Sequence, residues 1–175
     1  MRILILIYTS FAVGCISVSS NRKIDWTDSN QTIPRVKVKY DEFNKTTEYI
    51  GPDIMEYSDI LLLRAWSHTN QPFLEYQIYV SEYLSYYKGY EEFCNFNSAY
   101  DSEGNKLIFT YIDSDIHFTN YGNVDYTEVY GITVSKDYLD KAKNTGINFK
   151  VYGKRCDKTH YIPGGYIQGF LSVAK

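Results

Sequence analysis

From residue 35 onward, apolar and polar side chains alternate with a period close to two, the spacing of a strand with one covered face. In RVKVKY (35–40), Val36, Val38 and Tyr40 fall on one side and Arg35, Lys37 and Lys39 on the other. DILLLRAW (59–66) is apolar almost throughout, as in a strand covered on both faces. Residues 74–84, 93–100, 106–113, 126–134 and 147–154 read as further strands. DSEGN (101–105) has the composition of a turn and predicts a hairpin between 93–100 and 106–113.

Two stretches break the two-residue period. In 135–145, Ser135 is placed to cap a helix, Tyr138, Leu139 and Ala142 form a narrow apolar stripe, and Gly146 can close the end. In 163–173, Pro163 suits a helix start and Tyr166, Ile167, Phe170 and Leu171 recur at helical spacing, although Gly164, Gly165 and Gly169 oppose a helix. About seven short strands with two helices predict a mainly β, α+β fold. The architecture expected is an antiparallel β-sandwich or open barrel carrying a helix near 135–145 and a C-terminal helix near 163–173.

Composition adds three things. The chain has 175 residues, enough for one domain and a tail. Its net charge of -3 has no basic excess, which excludes nucleic acid as an expected partner. Nineteen tyrosines favour strands and supply rings that tolerate half-burial, because the hydroxyl can face water while the ring packs.

The amino terminus follows different rules. Met1-Arg2 precedes an apolar run from Ile3 to Val13, too short to span a bilayer and suited to a signal peptide. The run ends in Ala12-Val13-Gly14-Cys15, which resembles the lipobox of bacterial lipoproteins. The resemblance implies cleavage after Gly14 and a lipid on Cys15. It divides the chain into a signal peptide (1–14), a lipidated tether (15–32) and a β-rich domain (33–175). Ile16 follows the cysteine, and by resemblance to lipoprotein sorting this favours the outer membrane. The membrane is then a partner through the lipid anchor. Ordinary secretion to a soluble or periplasmic state, with cleavage after Ser17 or Ser19, is the alternative.

With Cys15 lipidated, Cys94 and Cys156 remain, and an exported chain offers them an oxidising compartment in which to pair. Cys94 also fits a buried free thiol. In DSDIH, a strand places Asp113, Asp115 and His117 on one side, a set that could bind a divalent metal. The plainer reading is a solvated strand face whose other side, Ile112, Ile116 and Phe118, is buried. YLSYYKGYEEF crowds Tyr83, Tyr86, Tyr87, Tyr90 and Phe93 together. This is a candidate surface for a protein or glycan partner if the rings are exposed, and plain core if they are not.

No phosphate loop, GxSxG or local histidine pair occurs, and no cofactor is expected. Residues 126–171, about a quarter of the chain, resemble a group of uncharacterised bacterial exported proteins through strand, helix and turn patterns such as IPGGYIQGFL. The resemblance implies a bacterial envelope location and carries over no activity or residue role. The expected function is therefore a cell-envelope lipoprotein acting as a binding or structural module, with no recognisable catalytic site. The alternative is a small secreted envelope hydrolase or metal-binding protein using Asp113, Asp115 and His117. A histidine joined in a pocket to a carboxylate and a nucleophile would mark that alternative.

Overall fold

The computed structural model describes residues 23–55, 59–69, 71, 73–85, 89–90, 92–120 and 122–175. The signal and lipidation expectations at 1–22, with Cys15, lie outside these residues, as do Tyr86 and Tyr87.

A short helix α1 (Ser29–Thr32) and a 3-10 turn precede β1 (Lys37–Asp41), β2 (Thr46–Ile50), β3 (Ile60–His68), β4 (Glu75–Leu84), β5 (Phe96–Asp101), β6 (Lys106–Phe118) and β7 (Val124–Val134). Helix α2 (Lys136–Ala142), β8 (Ile147–Gly153), β9 (Asp157–Ile162) and α3 (Gly164–Val173) follow. The strands form one sheet in the order β1-β2-β3-β4-β7-β6-β5-β8-β9, with every pairing antiparallel. The sheet curls into a half-barrel, so the mainly β expectation holds in its open-barrel form.

The concave face is the core. Leu61, Leu63 and Ala65 of β3 meet Tyr76, Ile78 and Val80 of β4, and Tyr130, Ile132 and Val134 of β7 continue the layer. Phe149 and Val151 of β8 and Ile162 of β9 complete the layer. Helices α2 and α3 close it with Leu139, Tyr166, Ile167 and Phe170, all fully buried. Both helices form where their patterns predict. Ser135 accepts a hydrogen bond from the Tyr138 N–H, and Pro163 is the residue before α3 rather than its first turn.

The glycines that argued against α3 have a packing purpose. A Cβ on Gly165 would stand 1.9 Å from the Thr27 carbonyl oxygen, and one on Gly169 would stand 2.6 Å from Thr32 Cβ. Glycine there lets α1 and the residues before it lie directly on α3. Trp26 meets Tyr166 edge to face at 5.8 Å, and Thr32 is fully buried. Residues 26–32, assigned to the tether from sequence, thus belong to the folded domain.

Three further expectations change. The run 59–66 buries one face only: Leu62, Arg64 and Trp66 are partly exposed on the convex side. Strand β1 is exposed on both faces, because it forms the outer edge of a hairpin that projects past the core. Ile112, Ile116 and Phe118 are exposed rather than buried. A register shift between Tyr111 and Asp113 interrupts the alternation, and β5 pairs with β6 only at Ala99–Leu107 and Tyr100–Lys106. The distal half of β6 therefore runs beyond the layer that could cover it.

Tyr166 fastens α3 to the sheet. Its hydroxyl donates to the Pro52 carbonyl (2.8 Å) and accepts from the Leu63 N–H (3.0 Å). Burial pushes its pKa up, so the phenol stays protonated. Tyr166→Phe strands both backbone groups away from water and is expected to cost about 3 kcal/mol. Urea unfolding should show this as a lower midpoint with an unchanged slope. An unshifted midpoint would contradict the role assigned to the hydroxyl.

Candidate functional site

The convex face carries an open cleft of about 920 Å³ under the β1–β2 hairpin. Its floor is Arg64 and Trp66 on the outward side of β3, supported by residues of β4, and the construction begins with a glycine. Gly131 on β7 leaves the space that the Gln77 carboxamide fills: a Cβ there would lie 2.3 Å from Gln77 Cδ. Gln77 is buried, and its Oε1 accepts from Arg64 Nε at 2.8 Å. The Arg64 guanidinium lies 4.7 Å from the Tyr79 ring centroid and 5.5 Å from that of Trp66, a cation held by two aromatic rings. Trp66 is oriented in turn by its indole N–H, which donates to Glu75 at 3.2 Å.

The hairpin makes the opposite wall. The Asp41 carboxylate accepts from the backbone N–H groups of Phe43 (2.8 Å) and Asn44 (3.1 Å), which fixes the turn. The bond from the Asn44 backbone, then that from Phe43, holds the Asp41 carboxyl below its ordinary value. This stiff turn presents Phe43 with 89% of its surface exposed, beside Tyr40 at 59%. Lys39 and Glu48, opposite one another in the β1–β2 pairing, complete the rim. Partial burial opposes the charge of Arg64, while the neighbouring Tyr79 and Glu48 support it. Neither terminal guanidinium nitrogen has a carboxylate within ion-pair distance among the described residues.

A second polar group lies inside the curl. Glu82 of β4 and Glu128 of β7 face each other in register, and both are 1% exposed. His160 Nε2 stands 2.9 Å from Glu82 Oε1, and the Tyr130 hydroxyl donates to Glu82 (3.2 Å) while lying 3.1 Å from His160 Nε2. Glu128 accepts from three successive backbone N–H groups, those of Cys94 (2.7 Å), Asn95 (3.1 Å) and Phe96 (3.2 Å). Burial pushes the Tyr130 phenol well above its ordinary range. None of the cavities described opens onto the network, and its members satisfy one another.

The residues singled out from sequence are placed as follows. Cys94 and Cys156 form a disulfide with Cα atoms 5.0 Å apart, bridging a sequence separation of 62. A loop of that size, once closed, stabilises by about 4 kcal/mol in the chain-entropy account. Asp113, Asp115 and His117 share the convex side of β6 and are exposed. Asp113 and Asp115 accept from the N–H groups of Ser114 and Ile116, and His117 bonds Thr127 at 3.0 Å. Among the described residues, no group of three or more His, Cys, Asp and Glu side chains is placed to hold a metal ion. Tyr83 and Tyr90 are half-buried. The Tyr83 hydroxyl donates to Asp125, and the Lys158 ammonium sits 4.6 Å from the Tyr90 ring centroid.

Sequence reasoning missed Arg64, Trp66, Tyr79 and Phe43. A signal existed in 59–66: Leu62, Arg64 and Trp66 alternate with Leu61, Leu63 and Ala65. Among the described residues no helix is long and apolar enough to cross a membrane. Compared with protein-family models, curated proteins and solved structures, the chain matches none.

The burial of Glu128 sets a pH test. Desolvation pushes its carboxyl above the ordinary 4.5, the three N–H bonds restrain the rise, and the Glu82 charge adds to it. A raised acid binds its proton more tightly in the folded chain, so its contribution to stability falls as pH rises from 4.5 through the raised value. Glu128→Gln does not titrate. Unfolding free energies measured from about pH 4 to about pH 7 should therefore show the wild-type advantage over Glu128→Gln shrinking with pH. A pH-independent difference would remove Glu128 from this account.

Proposed function

We propose that the protein is a lipid-anchored binding module of the bacterial cell envelope, without a catalytic site of its own, and that the convex-face cleft is its binding surface. The cleft carries this reading. It joins a half-buried arginine, an oriented tryptophan and the exposed Phe43 ring on a stiffened hairpin, and the Phe43 ring does not serve the core. Exposed aromatic and arginine side chains in a concave surface favour recognition.

The histidines support a non-catalytic reading. His68 pairs with Thr46 and His117 with Thr127, both at the surface, while His160 is enclosed with Glu82 and Tyr130. Among the described residues none of the three is joined in a pocket to a carboxylate and a serine or cysteine nucleophile. The Cys94–Cys156 bond suits an oxidising compartment outside the cytoplasm. Anchorage through Cys15 and an outer-membrane address rest on the lipobox-like sequence and on Ile16.

Two measurements test the parts separately. Cys15→Ser should abolish incorporation of labelled palmitate and release the chain from the membrane fraction. Unchanged labelling would exclude the anchor. For the cleft, the purified Cys15→Ser chain, free of membrane, should be retained on a column of immobilised, delipidated envelope extract. Adding Arg64→Ala and Trp66→Ala should weaken that retention at least tenfold while thermal unfolding shifts little. Undiminished retention would place binding elsewhere on the molecule.

A further inference from the structure

Arg64 is held as a ligand-binding arginine is held. Its Nε is tied to a buried glutamine, its guanidinium lies against two rings, and its side chain is partly buried. Partial burial of a cation without a bound anion is costly, and a planar guanidinium is repaid best by a carboxylate taken bidentately. The surroundings narrow the ligand further. Phe43 and Trp66 give the cleft an aromatic wall, which a bare anion would not use but the flat apolar face of a sugar ring would. The rim offers both donors and acceptors, with Lys39, Asn44 and Thr46 beside Glu48, as a polyol requires. Asp41, Glu42 and Glu48 add three carboxylates around the opening. They repel a densely charged polyanion but allow a single negative group aimed at Arg64 between neutral hydroxyls.

We propose that the cleft binds a carboxylated sugar of the uronic-acid kind, with the carboxylate on the Arg64 fork and a ring face against the aromatic wall. The assignment rests on the cleft being the binding surface and names its ligand class. Gln77 is a positioning residue, because it aims the guanidinium without reaching the ligand. Gly131 acts one step further back, by leaving room for Gln77.

The test uses the detergent-solubilised full chain and the indole N–H resonances of its two tryptophans. Trp66 faces the cleft, and Trp26, packed on Tyr166, is the internal control. Aldotriuronate, one glucuronic acid on a neutral xylobiose, should shift Trp66 and leave Trp26 in place. Its methyl ester, which keeps the rings and removes the charge, should bind at least tenfold more weakly. Arg64→Gln should lose at least tenfold in affinity for the acid and leave the ester unchanged. Gly131→Ala, which displaces the Gln77 side chain, should weaken the acid by a smaller factor with thermal unfolding little altered. Equal binding of acid and ester would overturn the role of the carboxylate while leaving the cleft as a sugar site. A shift of Trp66 by an acidic peptide of the same charge, with none by aldotriuronate, would overturn the sugar and keep the cleft. No shift of Trp66 by any of the three probes would overturn the proposal, and envelope retention would then judge the cleft alone.

Discussion

The curl of the sheet depends on one carboxylate. Strand β5 pairs with β6 at only two residue pairs, so on that side its leading residues have no strand partner. Glu128, on the concave side of β7, takes that place by accepting the N–H groups of Cys94, Asn95 and Phe96 together. Three consecutive N–H groups converge on one anion only where the backbone is coiled into a nest, and Asn95 provides the left-handed residue with φ 55°. The Cys94–Cys156 bond secures the same point to the turn between β8 and β9. Gly153 allows the close approach, since a Cβ there would stand 2.4 Å from the Cys94 carbonyl oxygen. Strands β5, β8 and β9 thereby swing over β4 and β7, and a flat antiparallel sheet becomes half a barrel.

That solution has an electrostatic consequence. Glu128 sits in register with Glu82, and two like charges face each other away from water. Each is satisfied differently: Glu128 by backbone N–H groups, Glu82 by His160 and the Tyr130 hydroxyl. A buried charge is tolerable only with such complete partnering. The concave side is therefore occupied by groups needed for the fold, and its other end is filled by α2 and α3. Space for recognition is left on the convex side, where Gly131 and Gln77 hold Arg64 in place.

The sequence revealed most of the fold, and where it failed the reasons are local. The strong alternation of 126–134 and 147–154 and the capped stripe after Ser135 marked β7, β8 and α2. Strand β9 was hidden because its inward positions include Lys158 and His160, polar residues with buried or half-buried partners. Strand β2 was hidden because no residue in it is fully buried on either face. Ile116 and Phe118 keep the side that the alternation predicts, but β6 runs past the layer that would cover them. The cleft was harder to see. Arg64 and Trp66 sit in a run whose hydrophobicity reads as core, and their pairing with Tyr79 arises only from the β3–β4 register. Phe43 looked like an ordinary turn residue, and only the hairpin's projection beyond the core exposes it.

The outer edge of β6 beyond Leu107 pairs with no strand among the described residues, and it carries the exposed side chains Ile112, Ile116 and Phe118. Such an edge is a template for pairing with another chain. On the lipid anchor proposed above, copies would diffuse in two dimensions at one height and in a restricted set of orientations, and encounters between equivalent edges become frequent. The register shift at Tyr111–Asp113 and the paired charges of Asp113 and Asp115 then act as a guard suited to confinement. The first spoils the straight row of donors and acceptors, and the second makes two approaching edges repel.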